Sequence, residues 1–130
     1  MIVVDSSVWI DHFRNTASTQ ADKLRTYLTH AYDAIYVPDV VLLELLRGCQ
    51  APKEFARLDA VLSEFHTIEV GGVAQCRRAA KKYAALRAKG FTTSKTVDLL
   101  IASWCIDEGV ALLHDDQDFT PFVGLGLKTV

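Results

Sequence analysis

Ile2-Val3-Val4-Asp5-Ser6-Ser7-Val8-Trp9-Ile10 opens the chain. Three apolar residues, then an acid, then two hydroxyl residues read as a buried strand that runs out at a carboxylate. Ser6 or Ser7 is placed to cap a helix over residues 8–14. A strand feeding a helix is the first half of a β–α unit, and the rest of the chain repeats the arrangement. Residues 34–37 form a second short strand stopped by Pro38, and Asp39 caps a compact apolar helix over 40–47 that Gly48 ends. Residues 110–114 form a further strong strand, again followed by acids.

Between these units the helices are read from their apolar spacing. Ala21, Leu24, Leu28 and Ala31 share one face of a helix over 19–31. Pro52 opens another helix, with Phe55, Leu58, Leu62 and Phe65 as its apolar stripe. A short strand is expected at 67–70. A basic helix follows over 73–89, with Val73, Cys76, Ala80 and Tyr83 as the expected buried side and Gly90 as its stop. A loop over 91–95 leads to a helix over 97–108, capped by Thr96 and ended by Gly109, and a last strand is expected at 127–130. Strands alternating with helices predict one α/β domain over 1–130, with a parallel sheet and helices on both faces.

The bulk composition narrows the function. The chain has 130 residues, half of them apolar, enough for one domain with a real core. No apolar run approaches the ~18 residues of a membrane span, and no basic region precedes the first apolar stretch. A soluble, cytoplasmic protein is expected. Cys49, Cys76 and Cys105 are far apart and odd in number, which argues against a zinc site or a disulfide framework. Net charge is −2, yet residues 70–97 contain no Asp or Glu. That stretch carries Arg77, Arg78, Lys81, Lys82, Arg87, Lys89 and Lys95, half of the fourteen Lys and Arg. Segregated positive charge of this kind is a candidate phosphate-backbone contact.

Four acids sit where acids are costly. Asp5 and Asp116 each follow an apolar strand. Glu44 lies within Val40-Val41-Leu42-Leu43-Glu44-Leu45-Leu46, and Asp98 precedes Leu99-Leu100-Ile101-Ala102. A helix apolar on nearly every side is buried on nearly every side, and a carboxylate there needs a proton, a hydrogen-bonding network or a cation. Arg47 lies within reach of Glu44, but a local partner does not account for four acids in similar settings. Strand ends and helix starts meet along the carboxyl edge of an open α/β sheet, where ligands bind. Carboxylates converging there raise one another's pKa unless a hard divalent cation joins them, and Mg²⁺ or Mn²⁺ suits an all-oxygen set. Such an ion serves phosphodiester hydrolysis. The histidines, His12, His30, His66 and His114, stand singly, and no Ser–His–Asp set competes.

Four segments now stand together: residues 2–10; Val37-Pro38-Asp39 through Glu44-Leu45-Leu46-Arg47-Gly48; Asp98-Leu99-Leu100-Ile101-Ala102; and Leu112-Leu113-His114-Asp115-Asp116-Gln117-Asp118-Phe119. In this order and spacing they resemble a PIN domain, and more narrowly the VapC toxins of bacterial and archaeal toxin–antitoxin pairs. The resemblance implies a three-layer α/β/α domain around a central, mainly parallel sheet of four to five strands. It implies a Mg²⁺-dependent endoribonuclease, with Mn²⁺ able to substitute. Asp5, Glu44, Asp98 and Asp116 match the family's acidic quartet. Asp5, Asp98 and Asp116 would be the metal ligands, and Glu44 would hold water or position the nucleophile. Asp118 is a further candidate acid, Ser7 a hydrogen-bonding residue of the site, and Asp115 competes with Asp116 for one position.

Similar proteins cleave single-stranded or structured RNA, leaving a 5′-phosphate and a 3′-hydroxyl, and so arrest translation through tRNA, rRNA or mRNA. The implied partners are RNA, a second copy in a homodimer, and a VapB-type antitoxin in a toxin–antitoxin hetero-oligomer. The antitoxin's arm would lie in an apolar groove to which Trp9, Phe13 and the stripe from Phe55 to Phe65 are candidates, although the same residues also fit a core.

Two other readings use some of the same residues. A haloacid-dehalogenase-like phosphatase also opens with a strand and an Asp, but it needs a second Asp two residues on, where Ser7 stands, and a catalytic Lys. A non-enzymatic Mg²⁺-binding α/β module of the receiver type needs a phosphoacceptor Asp at a mid-chain strand end, which this chain lacks.

Overall fold

Four strands form one all-parallel sheet in the order β3-β2-β1-β4: β1 (Ile2–Val4), β2 (Ile35–Pro38), β3 (His66–Ile68) and β4 (Ala111–Leu113). This computed structural model describes residues 1–92 and 95–130, so positions 93 and 94 of the expected loop 91–95 lie outside the described residues. Strand β1 is central. Ile2 pairs with Ile35 on one side and with Ala111 on the other, and all three β1 residues are buried. An apolar strand without alternation is what a sheet covered on both faces requires.

The helices are α1 (Ser6–Phe13), α2 (Thr19–His30), α3 (Asp39–Arg47), α4 (Pro52–Leu62), α5 (Val73–Ala88) and α6 (Thr96–Glu108), followed by a 3₁₀ segment, Gln117–Leu125. Helix α1 packs against both α2 and α3, and α3 against α4, whereas α5, α6 and the 3₁₀ segment form a second set. The sheet lies between the two, which is the three-layer arrangement expected. Trp9, Phe119 and Phe122 are the largest fully buried side chains and join the strands in one core.

Several local expectations need correction. Helix α1 is capped by Asp5, not by Ser6 or Ser7: the Asp5 carboxylate accepts from the Ser7 backbone N–H at 3.2 Å. A carboxylate at a strand end already faces the free amides of the next helix, so it takes the cap one residue earlier. Pro38 holds the cap position of α3, and Asp39, inside its first turn, instead accepts from Val40 and Val70 amides at 2.9 and 3.0 Å. Thr96 begins α6 rather than capping it, with Lys95 at the cap position.

Helix α5 buries Ala79 and Leu86, with Gln75, Lys82 and Tyr83 half-buried beside them, while Val73, Cys76 and Ala80 face solvent. Small Ala79 lets the backbones of α5 and α6 approach, and that contact outweighs the exposure of larger apolar residues. The expected last strand, 127–130, is reduced to a single parallel bridge, Leu112 with Thr129, after Gly126 turns the chain at φ 103°. No apolar repeat foretells the 3₁₀ segment, which Pro121 interrupts and two buried phenylalanines anchor.

Candidate metal centre

The carboxyl edge of the sheet gathers the acids. Asp5 leaves β1 beside β4, its amide donating to the Leu113 carbonyl at 2.9 Å. Asp98 sits in the first turn of α6, Glu44 in the middle of α3, and Asp116 just beyond β4. Asp5 and Asp98 are almost fully buried, at 3% and 5% exposure. Each keeps one carboxylate oxygen, Asp5 Oδ1 and Asp98 Oδ2, buried with no hydrogen-bond partner among the described residues. Two such orphans at one sheet edge are costly unless something outside the chain satisfies them.

The oxygens of Asp98, Asp116 and Asp118 all lie within 4.8 Å of one another. This trio differs from the expected ligand set of Asp5, Asp98 and Asp116. Asp118 joins because Asp116 caps the 3₁₀ segment, accepting from the Asp118 amide at 2.9 Å, and the tight turn returns the second acid to the same side. Asp5 stands behind the trio. Its Oδ2 is held by the Ser7 hydroxyl at 2.7 Å, and that hydroxyl also accepts from the Asp115 amide at 3.2 Å. Ser7 is thus a strut of the site, linking α1 to the β4 exit. Asp115 itself is exposed and outside the trio.

The electrostatics follow from this crowding. Burial, then the neighbouring charges of Asp5 and Asp116, push Asp98 up to about 7. Burial also raises Asp5, against its hydrogen bonds to Ser7 and Ser6, and raises Glu44. Glu44 is oriented by the Ser6 hydroxyl, which donates to its Oε1 at 3.1 Å. Burial lowers His114 despite the surrounding acids, and its Nδ1 accepts from the Asp116 amide at 3.2 Å. An imidazole that accepts through Nδ1 carries its hydrogen on Nε2. Ser6 and Gln20 are the residues that sequence reasoning missed. Ser6 resembled a plain cap, and nothing marked Gln20, whose amide nitrogen donates to the carbonyls of His114 at 2.7 Å and Val130 at 3.1 Å. A cleft of about 530 Å³ lined by Gln20, Lys23 and His114 opens against Asp116.

The basic stretch divides in two. Arg78 and Lys82 are engaged by Asp107 of α6 at 3.2 and 2.8 Å, and Lys82 also donates to the Ser103 hydroxyl at 3.0 Å. These contacts make α5 and α6 antiparallel. Asp107 lies nine residues, about 13.5 Å along the helix, from Asp98, so Arg77, Arg78, Lys81 and Lys82 mark the far end. Arg87 lies over the Tyr83 ring at 5.5 Å. Lys95, by contrast, is 3.8 Å from Asp118, and its charge acts on both Asp98 and Glu44. The apolar candidates divide as well: Trp9, Leu62 and Phe65 are core, Phe55 is exposed, and Phe13, Leu58 and Val61 line a groove of about 360 Å³ with Glu54 and Arg57.

A four-stranded parallel α/β/α fold with convergent carboxylates, two of them with a buried unpartnered oxygen, has the donor set of a hydrolase-type centre able to hold a metal. The PIN domain family model matches residues 2–122. Ribonuclease VapC11 of Mycobacterium tuberculosis is 30% identical over 119 residues, 92% of this chain and 89% of the relative. Two solved structures share the fold: VapBC2 from Rickettsia felis bound to a DNA fragment from their promoter (TM-score 0.74, 22% identity, 100% and 98% of the two chains) and M. tuberculosis VapC20, a sarcin–ricin loop cleaving toxin (0.67, 18%, 98% and 96%). The chain belongs to the PIN-domain family, in its VapC ribonuclease branch. That membership displaces the phosphatase and receiver readings. Among the described residues, no helix is long and apolar enough to cross a membrane.

Proposed function

We propose that the chain is a Mg²⁺-dependent endoribonuclease, with Mn²⁺ able to substitute, acting in the cytoplasm as the toxin of a toxin–antitoxin pair. The observation that carries this reading is the pair of orphaned oxygens, Asp5 Oδ1 and Asp98 Oδ2, beside the Asp98–Asp116–Asp118 trio. All the donors are hard carboxylate oxygens, which fits a hard divalent ion. Asp98, Asp116 and Asp118 would hold it, together with Asp5 through its unpartnered Oδ1. When bound, the ion stabilises negative charge on the phosphoryl oxygens and on the leaving oxygen.

The chain's own residues supply the rest. Glu44 is half-buried, held by Ser6 and raised in pKa, which suits it to accept a proton from an attacking water. The water gives a proton to Glu44 and adds at phosphorus, the bond from phosphorus to the 3′-oxygen breaks, and that oxygen takes up a proton from solvent and leaves as a hydroxyl. Lys95, at the rim, faces the phosphate that an acidic centre alone would repel. The relatives' names, ribonuclease and sarcin–ricin loop cleaving toxin, support RNA as substrate. The toxin–antitoxin complexes among the structural neighbours support a VapB-type antitoxin as partner, and the Phe13–Leu58–Val61 groove is where its apolar arm would lie. The groove shares Phe13, Leu58 and Glu54 with a second depression that reaches Glu44, so an occupant would extend to the acids.

The test is RNA cleavage by the purified chain before and after chelation with EDTA. Activity that EDTA abolishes and Mg²⁺ restores is expected. Cleavage indifferent to EDTA would overturn the metal reading.

A further inference from the structure

We infer that the depression formed by Lys89, Phe91, Gln117, Thr120, Pro121 and Gly124 receives one unpaired base of single-stranded RNA next to the scissile phosphodiester. The inference rests on the ribonuclease reading above and deepens it by naming a substrate subsite. The depression encloses about 430 Å³, room for a single nucleotide base with its solvent. Its floor is apolar, from Phe91, Pro121 and Gly124, and its rim carries a cation, an amide and a hydroxyl.

Phe91 is 45% exposed, and among the described residues no aromatic ring packs on it. Its position is nevertheless built: Gly90, at φ 92°, turns the chain out of α5, and the Phe91 amide closes the turn on the Leu86 carbonyl at 3.0 Å. An exposed aromatic ring held on a helix cap, with lysine beside it, is the arrangement that stacks a base and contacts its phosphate.

Placement ties this depression to the acids. Gln117 stands between Asp116 and Asp118 in the chain, and its Oε1 accepts from the Thr120 hydroxyl at 3.2 Å. A base on Phe91 would therefore lie beside the turn that carries Asp116 and Asp118, with Lys89 next to it in the lining. A base within a duplex is stacked on both faces and presents no free face to the ring, so the site selects unpaired RNA.

The experiment compares wild type, Phe91→Ala and Phe91→Trp on a short single-stranded RNA oligonucleotide, with the same oligonucleotide annealed to its complement as competitor. For Phe91→Ala we expect KM to rise about tenfold with kcat little changed, and an unaltered melting temperature. Phe91→Trp should retain wild-type KM, and its added fluorescence should be quenched by the single strand and not by the duplex. An unchanged KM in Phe91→Ala, with or without loss of protein–protein association in that variant, overturns the base pocket while leaving the nuclease reading intact. Wild-type protein that neither binds nor cuts RNA overturns the nuclease reading itself, and the pocket with it.

Discussion

The basic face of α5 stands out in the sequence as a run of one charge, the pocket acids as single charges in apolar settings, and the fold treats the two in opposite ways. On α5, Arg78 and Lys82 are neutralised from within by Asp107. In the pocket, burial and then neighbouring acids raise Asp5, Asp98 and Glu44, and the buried oxygens of Asp5 and Asp98 find no partner among the described residues. Charge thus carries functional meaning where the fold buries it with oxygens left unpartnered, and structural meaning where it supplies the counter-charge within a helix pair.

The largest expected effect lies in the pocket. Asp98→Ala should reduce RNA cleavage by on the order of a thousandfold, without loss of the fold by circular dichroism. If α5 variants lose as much activity as Asp98→Ala, the contrast fails. Next comes pH. Asp98 is raised from its ordinary value to about 7, so in metal-free protein its contribution to stability is fully present below about pH 4 and is lost as pH rises through about 7. The melting temperature of the metal-free chain should therefore fall from pH 5 to pH 8. Added Mg²⁺ or Mn²⁺ should raise it more at pH 8 than at pH 5, because the charged form is the one that binds. An equal metal-induced shift at both pH values would contradict the uncompensated cluster.

A smaller effect sharpens the division within the basic stretch. Lys89→Ala with Lys95→Ala should lower the slope of log affinity for single-stranded RNA against log salt by about 1.4, two contacts at about 0.7 each. Arg77→Ala with Lys81→Ala, at the far end of α5, should leave the slope unchanged. The smallest effect belongs to the internal pairs: Lys82→Ala should destabilise the fold by about 1 kcal/mol in chemical denaturation, with no change in cleavage at permissive temperature.

The parts legible from sequence are those in which local pattern and tertiary role agree. Ile2-Val3-Val4-Asp5 reads as a central strand because it is apolar on both faces, and α6 because it is apolar nearly all round and closed by Gly109 in the left-handed conformation. The acids could be singled out because each interrupts an apolar setting. What escaped reading depends on contacts distant in sequence or on tight turns. The packing side of α5 is decided by how closely Ala79 lets α6 approach, which no count of apolar residues along α5 contains. The resemblance names Asp118 as a further acid, but the 3₁₀ turn, initiated by the Asp116 side chain, that brings it into the trio escapes reading, because that segment, with Pro121 inside it, has no helical period to recognise. Ser6 and Ser7 were visible as capping types, but their hydrogen bonds to Glu44 and Asp5 depend on how α1 meets α3 and β4.

The pairing of β1 with β4 joins residues 2–4 to residues 111–113. A ribosome releases the first of these strands long before it makes the second, and every acid of the centre beyond Asp98 comes later still. A chain cut short before β4 consequently has its central strand paired on one side only, with β2, and an incomplete ligand set. The centre is therefore assembled only after residues 111–118 have been made.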